Sequence, residues 1–162
     1  MWAAIGVDVG GGGVRAALVR DQRVGPVSRL ALSDRSVPTV TAAVVELVEG
    51  LDPAGTLPVG VGVPGFIRDG LILESPNFPS WRNVPIHQEL ASRLGRVVAV
   101  ENDANAAALG AWDGNNDLVL LTLGTGVGGG VISGGRLIRG AGGTGAELGH
   151  LWAGGDRPCG CG

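Results

Sequence analysis

Two carboxylates, a glutamate–histidine pair and two glycine clusters are the residues of this chain whose types and spacing suit chemistry. Asp8 ends an apolar run at residues 3–9, and Gly10, Gly11, Gly12 and Gly13 follow it closely. A second apolar run, residues 118–123, leads into Gly124-Thr125-Gly126-Val127-Gly128-Gly129-Gly130. Glycines let successive backbone N–H groups face an anion with no side chain in the way. Two such turns can hold a polyphosphate from both sides, with Asp8 holding the accompanying Mg²⁺ through water. Asp103 stands where a buried strand meets a helix. There it either caps the helix or takes a proton from a hydroxyl attacking a phosphate, and spacing alone favours the cap. Asn102 beside it can bind a neighbouring hydroxyl. Glu147 and His150 stand three apart, so on a helical turn they converge on one ligand, and vicinal hydroxyls suit them. His150 with Cys159 and Cys161 makes three soft ligands, one short of a tetrahedral zinc site. A disulfide between residues two apart is strained, so free thiols are the alternative.

Rival readings of the glycines differ in what must follow them. Gly124-Thr125-Gly126-Val127-Gly128-Gly129 fits the G-x-G-x-x-G pattern of dinucleotide folds, but a helix must come next. Here another glycine and the β-like Val131-Ile132 follow. A P-loop needs Gly-Lys-Ser/Thr, and the chain has no lysine. Either cluster alone reads equally well as a tight hairpin. Two alike, in the strand–glycine–strand units at residues 5–19 and 118–132, form a weak internal repeat and favour anion binding.

The elements that must position these residues follow from the hydrophobic pattern. Residues 3–9 and 14–19 are predicted as paired strands, joined at residues 10–13 by a hairpin with φ > 0. A third strand is expected over residues 24–32. Pro38 and Thr39 open a helix with Val40, Val44, Val45, Leu47 and Val48 on its apolar face. Residues 57–63 read as a strand ending at Pro64-Gly65, followed by a hairpin around Arg68-Asp69-Gly70. Residues 75–85, with Pro76, Asn77, Pro79 and Asn83, read as an ordered loop. A helix is expected over 86–94, a strand over 96–100 and an Ala-rich helix over 103–112. The polar link Asp113-Gly114-Asn115-Asn116-Asp117 reads as a lobe boundary, dividing residues 1–113 from 117–162. Beyond it come a strand over 118–123, a glycine turn over 124–130 and a strand at Val131-Ile132.

Composition removes several function classes. Hydrophobic residues are 44% of the 162 and charged residues 17%, so a core can be buried and disorder is not expected. Net charge is −3, and all 12 basic residues are scattered arginines, which gives no basic stripe for nucleic acid. No apolar run approaches the ~20 residues needed to span a bilayer. The N-terminus has no basic stretch and leads straight into the first motif, so no signal peptide is expected. Two cysteines near the end suit a reducing, cytoplasmic setting.

Taken together, these residues resemble the ROK family of bacterial sugar kinases and sugar-responsive repressors. Ile5-Gly6-Val7-Asp8-Val9-Gly10-Gly11 resembles its first phosphate motif, and Val63-Pro64-Gly65 and Pro76-Asn77-Phe78 its sugar-site loops. Glu101-Asn102-Asp103-Ala104-Asn105 is similar to its catalytic segment, and Leu123 through Gly130 to its second phosphate motif. Residues 140–161, with Glu147-Leu148-Gly149-His150 and Cys159-Gly160-Cys161, are similar to the family signature and its zinc loop. The resemblance implies an actin-like ATPase (ribonuclease H-like) α/β lobe plus the start of a second such lobe, with ATP and Mg²⁺ in the cleft. It implies Asp103 as catalytic base. Gly65, Asn77, Asn102, Asp103, Glu147 and His150 would bind sugar, and Asp8, Gly10, Gly11, Gly12, Gly124, Thr125 and Gly126 the nucleotide. His150, Cys159 and Cys161 would hold a structural Zn²⁺. Pro76-Asn77-Phe78-Pro79-Ser80-Trp81 points to the glucose-kinase branch.

Three departures from the family pattern stand out. Gly12 and Gly13 occupy positions where the family has Thr and Lys, which removes a hydroxyl and a cation near the phosphates. The loop from His150 to Cys159 is one residue shorter. The chain stops at Gly162, before the family's last zinc cysteine, a further sugar-binding Glu and most of the second lobe. The expected function is ATP-dependent phosphorylation of a hexose, with sugar and nucleotide as partners and a homo-oligomer when complete. The 162 residues alone are expected to be inactive. The alternative is a non-catalytic sugar sensor of the same family. A third expectation is a binding module whose second-lobe strands need a partner to cover them.

Overall fold

The computed structural model describes residues 1–124, 126–152 and 154. The chain divides into two compact units, Met1–Asp103 and Ala104–Gly162. This division falls ahead of the polar link at residues 113–117, so most of the helix that Asp103 opens is grouped with the second unit.

The first unit is a mixed sheet covered by two helices. Strand β1 (Ala3–Gly10) turns back into β2 (Gly13–Arg20), in register from Ala3 opposite Arg20 to Gly10 opposite Gly13. The expected strand over 24–32 is instead two short ones, β3 (Arg23–Val24) and β4 (Ser28–Ala31), both paired with β2. The break contains Pro26, which cannot donate to a ladder. Helix α1 (Val37–Leu51) begins one residue before the expected Pro38; Ser36 caps it by accepting from the Thr39 N–H.

Strand β5 (Val59–Val63) follows parallel to β1, then the antiparallel β6 (Phe66–Arg68), β7 (Leu71–Glu74) and β8 (Arg82–Val84). Strand β8 lies inside the segment read from sequence as loop. Its Arg82 pairs with Glu74, and β7 supplies the ladder that a three-residue segment alone would not reveal. Helix α2 (Ile86–Leu94) leads into β9 (Val98–Asn102), parallel to β5, which gives the order β3-β2-β1-β5-β9.

Alternation places Ile5, Val7 and Val9 of β1 in one core with Val59, Val61 and Val63 of β5. Val40, Val44, Leu47 and Val48 of α1, and Ile86, Leu90 and Leu94 of α2, close that core. Behind α1 lies a polar clasp. Asp52 accepts from the Thr56 and Leu57 N–H groups, both at 2.8 Å, and from Arg96 Nη1 at 3.0 Å. Both side chains are buried, so each charge relies on the other.

The second unit is built on α3 (Asp103–Ala111), whose remaining turns precede β10 (Leu118–Leu123), β11 (Val127–Ser133) and β12 (Arg136–Leu137), an antiparallel sheet. A 3-10 turn, Leu148–His150, ends its described part. Gly128, Gly129 and Gly130 belong to β11, not to a turn as expected. Their reason is close packing. A β-carbon on Gly130 would stand 2.6 Å from that of Ala108, and one on Gly128 3.2 Å from that of Ala104. Ala104 and Ala108 are one turn apart on α3, so they meet alternate positions of the strand. On the other face, a β-carbon on Gly129 would meet Leu148 at 2.9 Å. Val119, Leu121 and Leu123 of β10 are exposed. Among the described residues no helix is long and apolar enough to cross a membrane.

Candidate active site

In the first unit, register brings the candidate residues to one end of the sheet. Asp8 lies opposite Gly62, and Gly62 opposite Glu101, so the two carboxylates share one level across β1, β5 and β9. Two strand spacings separate their backbones, roughly 10 Å. Asn102 and Asp103 come next in the chain, where β9 gives way to α3. Asp103 is the first residue of that helix and lies within its first turn.

Asn102 is tied to the first of the expected sugar loops. Its Nδ2 donates to the carbonyl of Gly65 at 3.1 Å. Gly65 has φ 134°, and a β-carbon there would stand 2.6 Å from the Glu74 carbonyl oxygen, so only glycine fits without shifting the backbone. Buried Ser75 steadies the same bend by donating to the Pro64 carbonyl at 2.7 Å.

Asn77 sits in the second loop, exposed between buried anchors. Phe78 and Trp81 are fully buried and stack with ring centroids 4.5 Å apart. The Trp81 indole N–H donates to the Arg35 carbonyl at 2.8 Å, and Arg35 Nη1 donates to the Asn77 carbonyl at 3.1 Å.

The first glycine turn departs from expectation in its backbone, since none of Gly10, Gly11, Gly12 and Gly13 has a positive φ. Space and pairing decide its composition instead. A β-carbon on Gly13 would stand 2.7 Å from the Leu30 carbonyl oxygen of β4, whereas one on Gly12 would meet nothing within 4 Å. Asp8 forms an ion pair with Arg15, its cross-strand partner on β2. Their side chains are 45% and 58% exposed, so a hydrated cation can reach the Asp8 carboxylate without opening the core. Mg²⁺ held through water therefore fits this residue.

In the second unit the Gly124 N–H donates to the Gly126 carbonyl at 2.9 Å; Thr125 lies outside the described residues. Glu147 and His150 converge as their spacing implies, with Oε2 and Nε2 3.9 Å apart. Gly149 between them packs against β11, where a β-carbon would stand 1.9 Å from the Val127 carbonyl oxygen. Cys159 and Cys161 lie outside the described residues, and so does the zinc set expected with His150. Among the described residues no group of three metal-binding side chains gathers.

Sequence reasoning missed Arg15 and Arg35. The absence of lysine was the available signal: any fixed side-chain cation in this chain is an arginine. Arg15 could be found by pairing the first two strands. Arg35 depends on Trp81, 46 residues away, and no local pattern points to it.

The model of the ROK family matches residues 4–162. A glucokinase of Thermotoga maritima is 42% identical over 169 residues, covering 98% of this chain and 53% of that protein. The structure of a ROK family glucokinase from Streptomyces griseus, in complex with glucose and AMPPNP, superposes with TM-score 0.76 at 38% identity. That match covers 93% of this chain and 51% of the other. An inorganic polyphosphate/ATP-glucomannokinase from Arthrobacter sp. strain KM matches with TM-score 0.80 at 34% identity, covering 93% and 64%. The chain spans about half the length of the curated relatives it matches. The fold is the α/β architecture of the actin-like ATPases.

Proposed function

Because the chain belongs to the ROK family, we propose that the whole protein carrying it is a kinase that transfers the terminal phosphoryl group of ATP to a hexose. The hexose is glucose and the acceptor its 6-hydroxyl. The observation that carries this reading is the junction of β9 and α3, where Asn102 is fastened to the Gly65 carbonyl and Asp103 follows directly.

In this reading Asp103 accepts the proton of the sugar hydroxyl. The hydroxyl oxygen bonds to the terminal phosphorus as the bond from phosphorus to the ADP oxygen breaks. Asn102, Gly65 and Asn77 orient the sugar in the first unit, and fixing Asn102 through Gly65 reduces the freedom lost on binding. In the second unit Glu147 and His150 are assigned to sugar hydroxyls. Gly10, Gly11, Gly12, Gly124, Thr125 and Gly126 are assigned to the phosphates, to which their backbone N–H groups donate. Mg²⁺, when bound, neutralises phosphate charge, and Asp8 is the residue that would hold it through water.

The test is glucose-dependent release of ADP by the full natural chain, with galactose and N-acetylglucosamine as competing acceptors. Release that requires glucose and Mg²⁺ supports the reading. Glucose binding without turnover favours the sugar sensor instead.

A further inference from the structure

The first glycine turn supplies no cation of its own. A side chain at Gly13 would collide with the Leu30 carbonyl of β4, at 2.7 Å from the β-carbon, and Gly11 and Gly12 bring none. Arg35, in the loop before α1, stands where that cation is missing. A β-carbon on Gly11 would lie 3.7 Å from both Cζ and Nη2 of Arg35, so the guanidinium rests directly over the turn. Its Nη1 reaches the other way, to the carbonyl of Asn77.

We infer that Arg35 is a phosphate-binding residue that grips the terminal phosphoryl group of the nucleotide at the first glycine turn. The inference rests on the proposed kinase reading and adds to it a residue that the glycine motif does not contain.

Three features make this arginine suited to the task. Its backbone is held from two sides: buried Trp81 donates to its carbonyl, and Asp34 accepts from the N–H of Ser36 at 2.8 Å, fixing the bend that follows. A guanidinium carries five N–H donors in a planar fork, and the Asn77 carbonyl takes one. The side chain is exposed, so its remaining donors are open to a solvent-borne anion. Arginine also suits this place better than lysine would, because the fork can engage Asn77 and a phosphate oxygen together. Contact with Asn77 places Arg35 beside the loop assigned to the sugar, where the transferred group must pass.

The experiment is calorimetric titration of the full natural chain and its Arg35→Gln and Arg35→Lys variants, first with Mg·ATP and then with glucose. The expected result is a loss of roughly tenfold or more in Mg·ATP affinity for Arg35→Gln, as for one charge-assisted contact. Arg35→Lys is expected to recover part of that loss. Glucose affinity and Tm should stay close to those of the parent. Unchanged Mg·ATP affinity in Arg35→Gln overturns the inference and leaves the kinase reading intact. Equal losses for Mg·ATP and glucose, or a large fall in Tm, overturn it in favour of a purely structural tie to Asn77. Failure of the parent chain to bind Mg·ATP overturns both.

Discussion

The side-chain amide of Asn102 donates to the carbonyl of Gly65, joining the end of β9 to the bend that leaves β5. The two residues are neighbours because β5 and β9 are parallel, with Val63 paired to Asn102. A sugar site built on this link inherits its rigidity from the sheet. Replacing Gly65 by Ala forces a β-carbon into the Glu74 carbonyl and a left-handed φ onto a residue that resists it. We expect a stability loss of about 1–3 kcal/mol and a disproportionate loss of glucose affinity. Denaturant unfolding and glucose titration on the same preparation separate the two.

The glycine turn makes opposite demands at adjacent positions. Gly12→Thr enters open space, so Tm should hold and Mg·ATP affinity should hold or rise. Gly13→Lys must displace the Leu30 carbonyl, and β4 with it. That variant should melt lower and gain nothing in nucleotide affinity. A Gly13→Lys protein as stable as the parent would show that β4 moves freely and that the steric account of this turn is wrong.

Much of this was legible in advance, for identifiable reasons. Strands β1, β5 and β9 carry valine and isoleucine in runs that only buried strands need, and α1 shows its apolar face directly. Asp103 at a strand–helix junction and the spacing of Glu147 and His150 were also local signals. What escaped notice was tertiary. Gly128 and Gly130 look like turn residues, but a β-carbon on Gly128 would press on Thr122 and Ala104, and one on Gly130 on Ala108. Strand β8 owes its pairing to β7, and Arg35 owes its position to Trp81.

Those close contacts carry their own prediction. Gly130→Val adds three carbons where Ala108 stands 2.6 Å from the first of them, so α3 must move off β11. Overpacking of this kind costs about 1–3 kcal/mol. Ala108→Gly in the same chain should recover part of the loss, because it removes the opposing methyl group. Urea midpoints of both single variants and the double variant measure the coupling.

Acid sensitivity follows from Asp52. Its carboxyl is held below the ordinary value of 3.8, first by the Leu57 N–H and then by the Thr56 N–H and the Arg96 guanidinium, against the opposing effect of burial. A carboxylate whose folded pKa is depressed contributes fully above its unfolded value. That contribution is lost as pH falls through 3.8 and on through the folded pKa. Asp52→Asn should therefore be less stable than the parent at neutral pH, with the gap in Tm closing as the solution is acidified below that value. A constant gap from neutral to acid pH would remove Asp52 from the account of acid unfolding.

The central claim concerns Asp103, and one substitution addresses it directly. In the full natural chain, Asp103→Asn keeps the size and the helix-opening position of the side chain but removes the base. The measurement is glucose-dependent ADP release beside glucose affinity by calorimetry. The account predicts a fall in kcat of roughly a hundredfold or more, with glucose affinity within a few-fold of the parent. Turnover retained at the parent's rate would contradict it and return Asp103 to the role of a helix cap.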